Sequence, residues 1–184
     1  VESSAALATI EWPQLYATWY EEVFHNPYSM TPNAKQKEVL DLVHERRVIE
    51  FAAESEEKIP QKQQCDVPLL RLIHGLPGSG KTEVLKWLQS YFENVWHWTL
   101  GQEFVFLAPL NSMAANIAGS TLHSFGQLNF KSKRGTVIKA NSKDSELSSL
   151  AMQCHVVRFL FIDEVEAAGS EIIARLEEAL RQHS

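Results

Sequence analysis

Apolar and polar positions change rhythm along the 184-residue chain, and each rhythm implies an element. Near the start, Tyr16, Trp19, Tyr20 and Phe24 recur at near-helical spacing, and Pro13 suits the first turn of a helix running to about Phe24. A second helix is expected near Asn33, where Asn33 and Gln36 have the spacing of a capping box, with Val39, Leu40 and Val43 on one face. It runs toward the charge cluster at 54–58. Over 55–68 the composition turns polar, with Pro60, Gln61, Gln63, Gln64 and Pro68, which reads as a surface connection.

Beyond that connection, short apolar runs alternate with helical patterns. The pattern predicts strands at Leu69–His74, Phe104–Ala108 and Val156–Ile162, and helices at Lys81–Phe92, Met113–Ile117 and Ser170–Leu180. Alternation of this kind means a parallel sheet covered by helices, and strands without in-and-out alternation are those buried on both faces. The expected fold class is therefore α/β, with an aromatic-rich helical segment over 1–30 and an α/β body over 31–184. No internal repeat is visible.

Composition narrows the classes. With 45% apolar and 22% charged residues the chain is an ordinary globule, too apolar for a disordered tail. No run reaches the roughly 18–20 apolar residues of a membrane helix, so no membrane partner is expected. The chain begins at Val1 with Glu2 where a signal peptide would be basic, which reads as a true start removed by processing or truncation. Cys65 and Cys154 show no ligand spacing, which argues against a zinc site and fits a reducing, intracellular setting, whether nuclear, mitochondrial or cytoplasmic. The net charge of −6 means that any nucleic-acid site must be local. Lys131, Lys133, Arg134, Lys139 and Lys143 form the obvious basic stretch, set against the plainer reading of a solvated loop.

Chemistry enters with Gly75-Leu76-Pro77-Gly78-Ser79-Gly80-Lys81-Thr82, a full GxxxxGK[ST] match between an expected strand and an expected helix. That context marks a P-loop. Its glycines let backbone amides turn toward phosphate oxygens, the helix N-terminus favours negative charge, Lys81 reaches the β and γ phosphates, and the Thr82 hydroxyl is a magnesium ligand. A second signal is the apolar run Arg158–Ile162 ending in Asp163-Glu164. At that place in P-loop NTPases an Asp helps to hold magnesium. The neighbouring Glu164 is positioned to activate the attacking water. The plainer role of such carboxylates is to cap a helix. Together the two motifs imply ATP and Mg2+ as cofactors, with Lys81, Asp163 and Glu164 catalytic, Gly75, Pro77, Gly78, Ser79, Gly80, Lys81 and Thr82 binding nucleotide, and Thr82 and Asp163 binding the metal.

Between these motifs, a strand ending in Ala108-Pro109 is followed by Ala114-Ala115 and then by Gly119-Ser120-Thr121-Leu122-His123-Ser124. This arrangement resembles motif Ia of Pif1-like superfamily 1 DNA helicases, with the P-loop and Asp163-Glu164 in the places of that family's motifs I and II. The resemblance runs from about Asn33 to the chain end and implies the first RecA-like ATPase lobe. It implies that Gln36 recognises adenine, a role that competes with its capping-box role. Pro109, Thr121 and His123 would lie near the backbone of single-stranded DNA, against the alternative of a packed turn histidine at His123. Leu110 departs from the family, which commonly has Thr there, and Val165-Glu166 replaces a small hydroxyl residue and Met. Glu166 adds a third carboxylate, directed to solvent or altering coupling between the nucleotide and DNA sites.

No second RecA-like lobe follows Asp163-Glu164, and the chain reads as the N-terminal portion of such a helicase. The expected whole-protein function is ATP hydrolysis coupled to 5′ to 3′ unwinding of DNA forks, with the isolated piece weakly active or inactive. Telomere maintenance, DNA repair and DNA recombination all use motors of this kind. The competing readings are a DNA-independent P-loop ATPase or kinase, and a non-catalytic nucleotide-binding module derived from a helicase.

Overall fold

The computed structural model describes residues 12–25, 29–54, 68–126 and 156–183. Both cysteines, most of the polar connection and the basic stretch at 131–143 lie outside them. The chain divides into two compact units, Val1–Trp96 and His97–Ser184.

In the first unit, α1 (Trp12–Phe24) and α2 (Ala34–Glu54) both pack on α3 (Lys81–Val95). The capping box forms as its spacing requires. Asn33 Oδ1 accepts from the backbone N–H groups of Lys35 and Gln36, each at 3.0 Å, and Gln36 Oε1 accepts from the Asn33 N–H at 2.9 Å. Helix α3 buries Val84, Leu85, Trp87, Leu88, Tyr91, Phe92 and Val95, a stripe recurring every three or four residues. Each large apolar side chain removed from water contributes about 1.5–3 kcal/mol, so this stripe is the unit's main cohesive surface. Trp19 and Phe24 of α1 meet it through edge-on ring contacts, Trp19 on Tyr91 and Phe24 on Trp87.

Helix α2 does not present the purely apolar face that its sequence implies. Leu40 and Val43 are buried, and so are His44 and Arg47 one helical turn on. The indole N–H of Trp96 donates to the Tyr91 hydroxyl at 2.7 Å, and that hydroxyl lies 2.7 Å from His44 Nδ1. An indole N–H can only donate, so the Tyr91 oxygen accepts from it and keeps both its own proton and further acceptor capacity for the bond to His44. His44 is buried in this contact. Burial lowers its pKa to about 4, against a smaller opposing pull from Asp41. Tyr16 stacks on the imidazole at 4.1 Å, and the Arg47 guanidinium lies over the Trp96 ring at 4.3 Å. Burial also raises the Tyr16 phenol, whose O–H donates to Asp41.

The second unit holds β1 (Phe104–Ala108), α4 (Asn111–Asn116), β2 (Ser120–Thr121), α5 (Leu122–Phe125), β3 (Phe159–Ile162) and α6 (Ser170–His183). The three strands form one parallel sheet in the order β2-β1-β3. All five β1 residues are buried, as a central strand covered on both faces requires. On one face Val105 and Leu107 join Leu122, Phe125 and Leu176, with Leu160, Ile162, Ile172, Ile173 and Leu180 packed around them. The other face carries Phe104, Phe106, Phe159 and Phe161, with rings in sequence at 5.5–6.2 Å.

One expected strand is absent. Residues 69–74 form no strand, and Leu70 and Leu72 are 84% and 79% exposed. An apolar run establishes a tendency to be buried. A strand also requires a hydrogen-bonding neighbour, and 69–74 has none among the described residues. The chain is thus α/β with a small parallel sheet flanked by helices, and the strand expected before Gly75 is not part of it.

Candidate functional site

The candidate residues fall in two groups, one in each unit. In the first, the Gly75–Thr82 segment leads directly into α3. The Ser79 N–H donates to the Leu76 carbonyl at 3.1 Å, and Gly78 and Gly80 take φ angles of 76° and 81°. Side chains rarely adopt such angles, which accounts for the glycines at these two places in the loop. Leu76 to Ser79 are exposed, while Gly75, Gly80, Lys81 and Thr82 are half-buried. Lys81 folds back over the turn, its Nζ donating to the Gly75 carbonyl at 2.9 Å and reaching the Leu76 carbonyl at 3.5 Å. A cation above the amino end of a 15-residue helix makes this corner attractive to an anion.

Gln36 belongs to the same corner. Its Nε2 donates to the Ser79 carbonyl at 3.2 Å and to the Gly80 carbonyl at 3.3 Å, while its Oε1 accepts within the capping box. A Cβ at Gly80 would lie 2.6 Å from that nitrogen, so glycine there also admits the glutamine. The capping half of this arrangement was visible as a three-residue spacing. The bond to the loop links residues 43 and 44 positions apart, which no local pattern reveals.

In the second unit, the carboxyl ends of the three strands gather the remaining candidates. The Asp163 N–H donates to the Leu107 carbonyl at 2.8 Å, extending the β1–β3 pairing by one step. Its carboxylate is buried, with Oδ1 accepting from the Glu164 N–H at 3.1 Å. Glu164 itself takes φ 50° and ψ 44°, a left-handed conformation unfavourable for a side chain, and opens a single 3-10 turn at Val165–Ala167. It is half-buried, whereas Glu166 is exposed, so the third carboxylate faces solvent. Pro109 is buried directly after β1, and Thr121 pairs with Ala108 at the end of β2. Asp163, Pro109 and Thr121 therefore share the edge of a parallel sheet where ligands are commonly held. His123 follows one residue into α5, half-buried.

Two features of the Gly-x-Thr segment have local structural work. The Thr121 hydroxyl accepts from the Ser124 N–H at 3.1 Å and so caps α5. Gly119 passes so close to β1 that a Cβ there would strike the Phe106 carbonyl. A threonine just before a helix is a common cap, whereas the close approach of Gly119 has no local signature. Leu110, the departure from Thr, is 55% exposed.

Among the described residues no group of three or more His, Cys, Asp and Glu side chains gathers around a metal position. The Thr82 hydroxyl of the first unit and the buried Asp163 carboxylate of the second are each oxygen donors of the type that magnesium takes. No described helix is long and apolar enough to cross a membrane. No protein-family model, curated protein or solved structure matches the chain.

Proposed function

We propose that the chain is the ATP-binding first motor lobe of a Pif1-like superfamily 1 DNA helicase, whose complete form couples ATP hydrolysis to DNA unwinding. The observation that carries the nucleotide part is Lys81. Its ammonium sits above the amino end of α3, held by the Gly75 and Leu76 carbonyls of the loop it follows. A triphosphate offers that ammonium stronger, charge-assisted acceptors than two neutral carbonyls, and the loop's backbone amides and helix N-terminus add to them.

The residue roles follow from their chemistry. Lys81 binds and neutralises phosphate oxygens. By the motif resemblance the Thr82 hydroxyl and the Asp163 carboxylate would be the residues to hold magnesium, which would supply charge neutralisation on the phosphates. Glu164 takes the proton of the attacking water as the bond to the γ-phosphorus forms and the bond to the ADP oxygen breaks. The left-handed backbone at Glu164 supports this role, since strained residues concentrate at catalytic positions. The DNA part rests on the order of the three motifs and on Pro109 and Thr121 lying at the carboxyl edge of the sheet.

A second reading, a nucleotide-binding module without DNA coupling, is favoured by one observation. The Thr121 hydroxyl already accepts a capping hydrogen bond, which occupies part of its capacity to meet a phosphate. The test is ATP turnover by the protein carrying its second lobe, with and without single-stranded DNA, beside Lys81→Ala and Glu164→Gln. Stimulation by DNA that both substitutions abolish supports the helicase reading. Turnover indifferent to DNA rejects it in favour of a DNA-independent ATPase, and binding without turnover favours the module.

A further inference from the structure

We infer that Asp163 is a positioning residue for Glu164: its carboxylate holds the Glu164 backbone in the left-handed conformation and so fixes the direction in which that side chain leaves the end of β3. The inference rests on the proposed role of Glu164 and gives Asp163 a second task beside the one toward magnesium. Glu164 has φ 50° and ψ 44°, near the ideal left-handed values, which a residue with a Cβ adopts only against a steric penalty. Such a conformation persists where surrounding bonds hold it. The Glu164 N–H donates to Asp163 Oδ1 at 3.1 Å, and the Glu164 carbonyl accepts from the Ala167 N–H at 2.9 Å. One bond grips the residue on the amino side of its Cα and the other on the carboxyl side, so both of its backbone rotations are restrained.

The two grips differ in strength and in anchorage. The Ala167 bond closes a single 3-10 turn, a geometry with poorer hydrogen bonds, and Glu166 and Ala167 within that turn are exposed. Asp163 is buried, and its own N–H donates to the Leu107 carbonyl of the central strand at 2.8 Å. A carboxylate is also a stronger acceptor than a neutral carbonyl. Asp163 is therefore the firmer grip, and it ties Glu164 to β1. A carboxylate has about four acceptor sites, so this bond and a metal can share the group. A left-handed residue sends its Cα–Cβ bond in a direction that the extended backbone of β3 does not reach, so the water-activating carboxylate is aimed by its neighbour before any ligand arrives.

The test is NMR on the 184-residue chain without nucleotide, repeated with Asp163→Asn, which keeps an acceptor oxygen, and Asp163→Ala, which removes it. Two signals are read at residue 164: the strong NOE between its amide and α protons that a positive φ produces, and the exchange rate of its amide. The unsubstituted chain and Asp163→Asn are expected to show the NOE. Asp163→Ala is expected to lose it, with the Glu164 amide exchanging about tenfold faster, in keeping with one lost hydrogen bond to a charged group. The amides of Val105 and Phe106, in the buried central strand, keep their protection and show that the unit is folded. An unchanged NOE and exchange rate in Asp163→Ala overturn the inference, as does absence of the NOE from the unsubstituted chain or from Asp163→Asn. Where Asp163→Ala also loses protection at Val105 and Phe106, the coupling across the hydrogen bond from the Glu164 nitrogen to the Asp163 carboxyl carbon in the unsubstituted chain decides: its presence supports the inference and its absence overturns it. None of these signals depends on ATP, so their failure is distinct from failure of the hydrolytic reading, which the turnover test reads.

Discussion

Tyr91→Phe isolates the polar centre of the helical unit, because it removes one oxygen and leaves the ring. The phenyl ring keeps its edge-on contacts with Tyr16 at 5.6 Å and Trp19 at 5.3 Å, so little packing is lost. Two buried groups lose their partner. The Trp96 indole N–H and His44 Nδ1 each lie 2.7 Å from the missing oxygen, and both residues are buried. An unsatisfied buried donor or acceptor costs about 1–3 kcal/mol, which gives about 2–4 kcal/mol for the pair once some relaxation toward water is allowed. Against a usual stability of about 5–15 kcal/mol this is a large fraction, read as a lower urea midpoint at constant slope. A double-mutant cycle with His44→Phe, which keeps the stacking on Tyr16, is expected to be non-additive by about 1 kcal/mol. A loss below about 0.5 kcal/mol, or strict additivity, refutes the hydrogen-bonded link between His44, Tyr91 and Trp96.

Three further outcomes are expected. His44 is neutral when folded down to a pKa of about 4 but takes a proton near 6.5 when unfolded, so the unfolded chain binds more protons between these values and stability falls as pH drops from 6.5 to 4. The ceiling is about 3 kcal/mol, reduced to about 1–2 by solvent screening, and urea midpoints at pH 7 and pH 4.5 measure it, with His44→Phe showing a flatter dependence. Gly119→Ala drives a methyl group into the Phe106 backbone and is expected to lower stability by about 1–3 kcal/mol, checked by thermal melting; an unchanged Tm contradicts the close approach. Glu164→Asn places a residue tolerant of left-handed backbone at φ 50° and is expected to raise stability by roughly 0.5–1 kcal/mol, so a destabilised variant counts against backbone strain at this position.

What the sequence disclosed depended on the range of the interaction. Phe104–Ala108 was read at its true boundaries because a central parallel strand writes burial on both faces as an unbroken apolar run. Helices α1, α2 and α3 followed from periodicity and from the Asn33–Gln36 spacing, all within one or two turns of chain. The run at Leu69–His74 misled, since apolarity names a preference and not a partner. His44 and Arg47 were invisible as buried residues because their burial depends on Tyr91, Trp96 and Glu54, the first two far away in sequence. At the candidate site the residue types were readable and their supports were not. The bond of Gln36 to the loop and the approach of Gly119 to β1 are contacts between backbone and distant residues, and composition does not record them.

The exposed segment before the Gly75–Thr82 turn has a consequence for how the protein behaves in bulk. Leu70, Leu72 and Leu76 stand out from the surface at 84%, 79% and 78% exposure, in the run Pro68-Leu69-Leu70-Arg71-Leu72-Ile73-His74-Gly75-Leu76-Pro77. Short apolar windows with little charge are the segments through which chains stack into intermolecular sheets. This one is bracketed by two prolines and interrupted by a single guanidinium. Prolines cannot donate to a growing ladder, and a charge repeated at every layer repels its own copies. Arg71 and the two prolines thus act as gatekeepers: the stretch that leads the chain into the Gly75–Thr82 turn is also a colloidal liability, and these three residues hold that liability in check.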